Sequence, residues 1–522
     1  MLNDELIGHP RRWSILAVLC TSLATVMIAN SSLNMALPTM ARDLQASNSD
    51  LQWIVDAYSL VFAGLLFTAG ALGDRFGRKG ALQLGLGIFA VAAVAGSVAH
   101  TSTAVIACRA AMGLGAAFVM PATLSIIVNV FPTRERAKAI AIWTAIAGAG
   151  GSLGPIASGF LLAHYSWNAV FLVNIPVVVV ALVAGAKLLP KSRDAAATRI
   201  DVVGALLSIA GIVGLVYAII EAPHHGWLST RTLAVAGAAI VVLGLFVWWE
   251  LRTRLPMLDM RWFKHRSFSV GSAGMMLAFF ALFGMMFLLT QYLQLVVGYS
   301  ALETAVRMLP IALVMIIVSP QSPRMVLRFG ANRVVGSGLG ILAVGAFLLS
   351  RVGVDSGYWT IFGAMVVMVA GMSVAMAPLT NAIMSGVPRN RAGVGSAMND
   401  TTRELGGALG VAVLGSILTS QYGSSVQPAL VGLPDAARTA AETSLAGALA
   451  AAGQMGASGQ ALADGAKQAF VDGMGTAFLI GAVVIAIAAV VARKLLPADI
   501  EEADHAPVDA SELDDLPEPL PV

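Results

Sequence analysis

Three carboxylates interrupt stretches of this chain that are otherwise almost entirely apolar. Asp56 lies in the stretch QWIVDAYSLVFAGLL, whereas Asp400 and Glu404 are four residues apart in a second stretch and therefore share a helix face. Ionisable side chains within a membrane are costly and mark ion or substrate pathways. Two carboxylates on one face also resist simultaneous ionisation, because like charges repel strongly in a low dielectric. The three residues are therefore candidates for binding and releasing a proton.

Each candidate also has a purely structural interpretation. Asp56 lies towards one end of its stretch and could be an interfacial residue close to water; we favour proton coupling, since acids inside membranes are functional by default. Asp400 could instead be neutralised by Arg403, three residues further along the same helix. For Asp400 and Glu404 the sequence leaves both interpretations open.

These charges stand out because the chain is so apolar. Of its 522 residues, 57% are hydrophobic and 12% are charged, and the mean hydropathy is +0.81. A water-soluble protein of this size does not need so much apolar surface, so the composition predicts an all-α polytopic membrane protein. Allowing about 20 apolar residues per span, we predict fourteen transmembrane helices, at residues 14–37, 51–71, 81–99, 103–130, 138–163, 168–189, 202–220, 231–250, 268–296, 303–320, 333–351, 357–385, 395–419 and 471–492.

Lysine and arginine are distributed unequally between the two sides of the predicted bundle. In the connections and helix ends, 24 fall on the side of the N-terminus and 5 on the other. Because basic loops stay in the cytoplasm, we expect a multi-pass protein of the plasma or inner membrane with both termini cytoplasmic. The Ala/Gly-rich segment 421–468 is then an extracellular loop, either a short amphipathic hairpin or partly ordered, and the acidic segment 497–522 is a disordered cytoplasmic tail.

A glycine-rich basic connection follows the second predicted span. It reads GALGDRFGRKGAL; its glycines permit a tight turn, and its charges can latch neighbouring helices together. The order of these residues resembles the signature loop of the major facilitator superfamily, although a loop that merely sets topology would also be basic. The resemblance implies a gating role for Gly73, Asp74, Arg75, Gly77, Arg78 and Lys79.

Two further stretches resemble motifs of the same superfamily. CRAAMGLGAAFVMPATLS in the fourth span places Arg109 inside an apolar helix and resembles the family's basic-residue motif, although Met112 stands where that motif usually has Gln. Arg403 is a further basic residue predicted within a span. AGAGGSLGPIASG in the fifth span resembles the antiporter motif of drug exporters, through Gly150, Gly154, Pro155 and Gly159. The alternative for that span is a helix whose small residues permit close packing and do nothing else.

Other stretches, among them WNAVFLVNIP and GVGSAMNDTTRELGGALGVAVLGS, are similar to the fourteen-span drug:proton antiporter branch of the superfamily. The resemblance covers about residues 12–420. It implies the major facilitator fold, in which two six-helix halves flank two inserted central helices. We accordingly expect an N-terminal half at 1–190, inserted helices 7 and 8 with their linkers at 191–267, and a C-terminal half at 268–496.

Polar side chains in the first and ninth spans are candidates for lining a substrate cavity. They are Asn30, Ser31 and Asn34 in the first span and Gln291 and Tyr292 at the end of the ninth. In the branch that this chain resembles, the first span commonly carries an acid, and aligning its end on Asn34 places Ala29 at that position. This departure shifts proton coupling towards Asp56 and the thirteenth span. The polar residues could equally hold the first span against its neighbours.

The resemblance implies a proton-coupled exporter of lipophilic, cationic or amphiphilic small molecules that works by alternating access. A dedicated exporter of one endogenous metabolite or lipid, and a non-transporting sensor or channel, are the alternatives. An ATP-driven pump is disfavoured because the sequence has no G-x-x-x-x-G-K-[ST] motif. An enzyme is disfavoured because metal-ligand spacings are missing and His224 and His225 are predicted in an outer loop without partners. We expect a monomer in a lipid bilayer, with no cofactor, metal or nucleic-acid partner.

Overall fold

The computed structural model describes residues 9–190, 201–253, 256–387 and 392–499, and the regular structure in these ranges is helical throughout. The first helices run back and forth in antiparallel order. They are α1 (Arg12–Asp43), α2 (Asn48–Phe76), α3 (Arg78–Ser97), α4 (Ser102–Val130), α5 (Thr133–His164) and α6, which begins with one turn at Ala169–Leu172 and continues as Asn174–Leu188. The main helix contacts in this set join α2 to α4, α1 to α5 and α3 to α4, so most helices pack on partners that are not their neighbours along the chain.

Two helices then precede a second set. The pair is α7 (Val202–His225) and α8 (Thr230–Arg252). The second set comprises α9 (Arg266–Gln291, extended by a π-helical turn at Tyr292–Val296), α10 (Ala301–Val318, continued as Ser322–Phe329), α11 (Ala331–Leu349), α12 (Tyr358–Ser385), α13 (Ala392–Ser425), the short helices α14 (Asp435–Thr443) and α15 (Leu445–Met455), and α16 (Gln460–Leu495). We call the end of the bundle where α1 begins and α16 ends the basic end.

Thirteen helices in the described residues are long and apolar enough to cross a membrane. They are α1 to α4, α6 to α13 and α16, and with the 32-residue α5 they occupy the fourteen predicted positions. Such a chain is an integral membrane protein, because helices satisfy their backbone hydrogen bonds internally and can therefore lie in hydrocarbon.

The two sets of helices pack in similar ways. In the first set α1 packs on α5 and α3 on α4, and in the second set α9 packs on α13 and α11 on α12. The sets meet where α2 lies against α13 and α5 against α10. Helix α7 packs on both α2 and α13, whereas α8 packs mainly on α7. The α2–α13 contact is therefore the place where both sets and the inserted pair come together.

In the segment 421–468, α13 extends to Ser425, α14 and α15 follow and pack against each other as a short helical hairpin, and α16 begins at Gln460. One prediction from the sequence was wrong. His224 and His225 are the last residues of α7 and do have partners: His224 Nε2 lies 2.9 Å from the Ser49 hydroxyl of α2, and His225 pairs with Glu221 at 3.8 Å. The predicted tail beyond residue 499 lies outside the described residues.

Candidate functional site

Asp56 is buried on α2, at a point where α2 faces both α4 and α13. A capping box formed by Ser47 and Asp50 fixes the start of α2 and thereby the direction in which Asp56 projects. The Asp56 side chain is 0% exposed, and neither carboxylate oxygen has a hydrogen-bond partner among the described residues. A buried acid without a partner is rare in proteins and needs a reason.

Arg109 is buried on α4 beside the same part of α2. It is 1% exposed; its Nε donates a hydrogen bond to the Ile54 carbonyl at 3.1 Å, and its guanidinium carbon lies 4.3 Å from the centre of the Tyr58 ring. Stacking on an aromatic face stabilises a cation without an anion. Gly113 makes this approach possible, because a Cβ there would overlap the Tyr58 carbonyl. Arg109 thus places a buried positive charge against the side of α2 that carries Ile54 and Tyr58.

The acidic pair on α13 is split between two environments. Asp400 Oδ1 lies 3.6 Å from Arg403 Nη1, and the Arg403 guanidinium carbon lies 4.7 Å from the centre of the Phe279 ring on α9. Glu404 interacts with the Ser59 hydroxyl of α2 and with the charges of Arg403, Asp400 and Arg109. Asp400 therefore has Arg403 as an ion-pair partner on its own helix, whereas Glu404 reaches α2 at Ser59, where the two sets of helices meet.

A glutamine next to Asp56 holds this contact together. Gln52, one turn before Asp56 on α2, donates hydrogen bonds from Nε2 to the carbonyls of Val411 and Ala412 on α13, both at 3.2 Å. The backbones come this close because α13 has Gly415 there, where a Cβ would overlap the Gln52 amide. Both sets are also joined at this end, remote from the basic end, by the Gln294 amide, which donates to the Met35 carbonyl at 3.1 Å.

The sequence analysis did not assign roles to Gln52, Tyr58 or Ser59. Their signal was nevertheless present, since polar residues at positions 52, 56 and 59 recur at helical spacing along an otherwise apolar stretch. Gln52, Asp56 and Ser59 form a polar stripe on the side of α2 that faces α13, whereas Tyr58 lies on the opposite side and faces Arg109 of α4. Such a stripe is typical of a helix that faces a polar interior and not lipid.

The basic connection between α2 and α3 is a tight turn. Gly77 has a φ of 123°, a conformation that side-chain-bearing residues rarely adopt. Lys79 Nζ donates to the carbonyls of Ala186 at 2.7 Å and Leu189 at 2.9 Å, which ties α3 to the end of α6. The side chain of Asp74 lies outside the described set. The other predicted residues of the turn are the buried Gly73, the exposed Arg75 and the half-buried Arg78.

The glycines predicted on α5 lie at two helix contacts. A Cβ on Gly154 would overlap the Ser31 hydroxyl of α1, and one on Gly150 would lie 2.8 Å from the Met27 Cβ. A Cβ on Gly159 would lie 2.8 Å from the Leu302 Cα of α10. Pro155 lies inside the same helix. The stretch therefore brings α5 close to a helix of its own set and to one of the other set.

Replacing Gly154 by alanine is expected to destabilise the protein by about 1–3 kcal/mol, because α1 and α5 must separate to admit the methyl group. Gly151 is the matched control, since a Cβ there meets nothing within 4 Å. Gly151→Ala should be neutral or stabilising by about 0.5–1 kcal/mol, since alanine favours the helix. Thermal unfolding in detergent measures both variants, and equal shifts would contradict a packing role specific to Gly154.

The predicted substrate-cavity residues have mixed surroundings. Asn30 and Asn34 are half-buried on α1, whereas Ser31 turns to α5, where its hydroxyl lies 3.3 Å from the Gly150 carbonyl. Gln291 donates to the Phe287 carbonyl of its own helix at 3.3 Å. The Tyr292 hydroxyl donates to the Gly353 carbonyl at 2.8 Å and so fastens α9 to the α11–α12 connection. The hydrogen bonds of Gln291 and Tyr292 are internal to the second set of helices.

Comparisons with known proteins agree with this architecture. The family model described as Major Facilitator Superfamily matches residues 19–411. The multidrug efflux pump LfrA of Mycolicibacterium smegmatis is 37% identical over 484 residues, covering 92% of this chain and 96% of that protein. The tetracenomycin C resistance and export protein of Streptomyces glaucescens is 33% identical over 513 residues, covering 96% and 95%.

A solved structure has the same fold. It is that of a bacterial homologue of the human lysosomal transporter Spinster, in an inward-facing, unoccupied conformation. The TM-score is 0.67 and the sequence identity is 17%, with 93% of this chain and 98% of that chain covered. The helices described above therefore have the arrangement of a known transporter fold.

Proposed function

Since the chain belongs to the Major Facilitator Superfamily, we propose that it is a proton-coupled exporter of lipophilic, cationic or amphiphilic compounds that works by alternating access. The observation that carries the proposal is Asp56, a fully buried carboxylate without a hydrogen-bond partner among the described residues. It lies one turn from Gln52, which joins the two sets of helices. A proton site placed there can be linked to their relative movement.

Drug export is supported by the relatives. One is named a multidrug efflux pump and another a resistance and export protein, and each aligns with more than nine-tenths of this chain. Such long alignments include the α2, α4 and α13 segments that hold the candidate site. The substrates of this chain are accordingly drug-like small molecules.

Proton and substrate exchange follows from charge. An ionised carboxylate buried without a partner is costly, whereas the protonated form is neutral. A cationic substrate in the interior supplies the missing positive charge, so the proton and the cation are alternative ways to neutralise Asp56 and Glu404. Uptake of a proton from outside then releases the substrate there, and loss of the proton inside favours rebinding. Arg109 keeps a fixed positive charge that interacts with Glu404.

The orientation rests on the basic residues. The 24 to 5 distribution of Lys and Arg assigns the basic end to the cytoplasm of a plasma or inner membrane, with both termini inside. Residues 1–190 and 268–496 are then the two rocking halves, with 191–267 between them. The helices α14 and α15 lie on the outside.

Transport in everted membrane vesicles tests the proposal. Vesicles that carry the full chain should accumulate ethidium, a lipophilic cation, when a pH gradient is imposed and ATP is absent. Accumulation should stop when a protonophore collapses the gradient, while vesicles lacking the protein accumulate none. Transport that survives the collapse would exclude proton coupling and leave export by another driving force.

A dedicated exporter is the second candidate, and the similarity to a protein named for resistance to one antibiotic favours it. The two candidates differ in breadth. Expression in a drug-sensitive host should protect against several unrelated lipophilic compounds if the chain is a multidrug exporter. Protection against a single class would identify a dedicated exporter.

A further inference from the structure

A cavity of about 640 Å³ lies apart from the candidate site, between the inserted helices and the rest of the protein. Its walls are formed by α2 at Ala63 and Phe67, in the half of that helix nearer the basic end of the bundle, by α7 at Ser208, by α8 at Phe246, and by α13 at Thr401. The connection from α8 to α9 forms the remaining wall. The volume lies in the range of small-molecule sites in proteins.

The lining defines the chemistry of an occupant. Most of the lining side chains are aliphatic, aromatic or methionine, as a hydrocarbon chain requires. Thr401 lines the cavity at 9% exposure, and its hydroxyl has no hydrogen-bond partner among the described residues. Lys264, which is exposed, is the charged residue of the lining and lies at the basic end. An apolar chain with an anionic head matches this combination.

The wall at the α8–α9 connection is held in place. Glu250 accepts a hydrogen bond from the Leu258 backbone N–H at 3.0 Å, and Asp201 accepts one from the Trp249 indole N–H at 2.9 Å. Trp262 is buried and packs edge-on against Phe268, with ring centres 6.0 Å apart. The cavity is therefore preformed, which lowers the cost of binding.

The surroundings point to the bilayer as the source of the occupant. In the most apolar part of α8, 11% of the residues are buried, and the helix contacts chiefly α7. The rest of its surface therefore faces lipid. The exposed cations Arg252, Arg261 and Arg266 lie in or beside the same connection as Lys264, whose described part has one acid, the half-buried Asp259. Basic pockets between transmembrane helices bind the head groups of anionic lipids.

We propose that this cavity is a binding site for an anionic phospholipid, whose acyl chain lies between α8 and the α2–α13 contact and whose head group pairs with Lys264. The site is independent of proton coupling, since it uses none of the residues assigned to that role. Its occupant touches the same two helices that carry Asp56 and Glu404.

Photolabelling of the full chain in vesicles tests the site. The probes are phosphatidylglycerol and phosphatidylcholine with the same diazirine-bearing acyl chain, and mass spectrometry locates the labelled peptides. Phosphatidylglycerol should label peptides from 243–251 and 398–405 above the other lipid-facing peptides, and more than phosphatidylcholine does. Uniform labelling, or equal labelling by the two lipids, would overturn the proposal.

Two pairs of variants separate the cavity from the lipid-facing surface. Ser208→Phe fills the cavity and should reduce labelling there to the level of other peptides, whereas Ala210→Phe, on the exposed face of the same helix, should not. Lys264→Gln should lower the preference for phosphatidylglycerol about fivefold, and the nearby Arg261→Gln should lower it less. Lys264 is exposed, so this variant remains informative if Ser208→Phe fails to fold. Labelling of the cavity that persists in both Ser208→Phe and Lys264→Gln would contradict the site.

Discussion

Replacing Asp56 by asparagine is expected to reduce gradient-driven export at least about tenfold, the range of a typical coupling free energy. Asparagine keeps the size of the side chain but cannot take up or release a proton. Because neither Asp56 oxygen has a hydrogen-bond partner among the described residues, the change breaks no contact there, and the variant should fold as well as the parent. Substrate-dependent proton flux in proteoliposomes measures the loss directly.

Asp50 on the same helix provides the control. Asp50→Asn removes the carboxylate of the capping box at the start of α2, so it should cost about 0.5–1 kcal/mol of stability and leave proton flux near the parent value. Asp56→Glu restores an acid and should recover part of the flux. If Asp56→Asn exchanges protons at the parent rate, Asp56 is not the coupling residue, and Glu404→Gln becomes the decisive variant.

The helices could be predicted because long apolar stretches have few alternatives in a membrane. The ends were less certain, as α1 illustrates: the prediction ended it at residue 37, before Pro38, but the helix continues to Asp43. Proline is tolerated there because neighbouring helices and local adjustments satisfy the freed backbone groups. For the segment 421–468 the sequence left a hairpin and a partly ordered loop open, because glycines and charges lie among alanines, which have the highest helix propensity.

The charged members of the site could be predicted and their partners could not. Asp56, Arg109 and Glu404 stand out because a charge within an apolar stretch is costly wherever the helices pack. Their contacts with Tyr58 and Ser59 depend on which helices lie side by side and at what rotation. Small residues decide that: Gly113 brings α4 onto the α2 backbone, and Gly415 brings α13 onto Gln52. Spacing along one helix does not reveal which face of another helix a glycine will meet.

Arg109 and Arg403 both lie within predicted spans, and their different surroundings predict different losses. Arg109 is 1% exposed, stacks on Tyr58 and bonds to the Ile54 carbonyl. A desolvated cation–π contact contributes about 2 kcal/mol and a charged hydrogen bond about 1.5–3 kcal/mol. Arg403 has a side chain that is 34% exposed and pairs with Asp400 at 3.6 Å. Partly exposed pairs contribute about 0–1 kcal/mol, and the contact of Arg403 with the Phe279 ring contributes about 0.5–1 kcal/mol at a partly exposed site.

Arg109→Gln should therefore reduce export more than about tenfold, since each 1.4 kcal/mol corresponds to a factor of ten. The matched change Arg403→Gln should reduce it less than about fivefold. Initial rates of ethidium efflux at equal amounts of folded protein measure both.

Because Glu404 also interacts with the charge of Arg109, the double variant Arg109→Gln/Glu404→Gln should lose less than the product of the two single losses. Equal losses of export in Arg109→Gln and Arg403→Gln would mean that burial does not set the role of Arg109. If the loss in the double variant equals the product of the two single losses, Arg109 and Glu404 act independently.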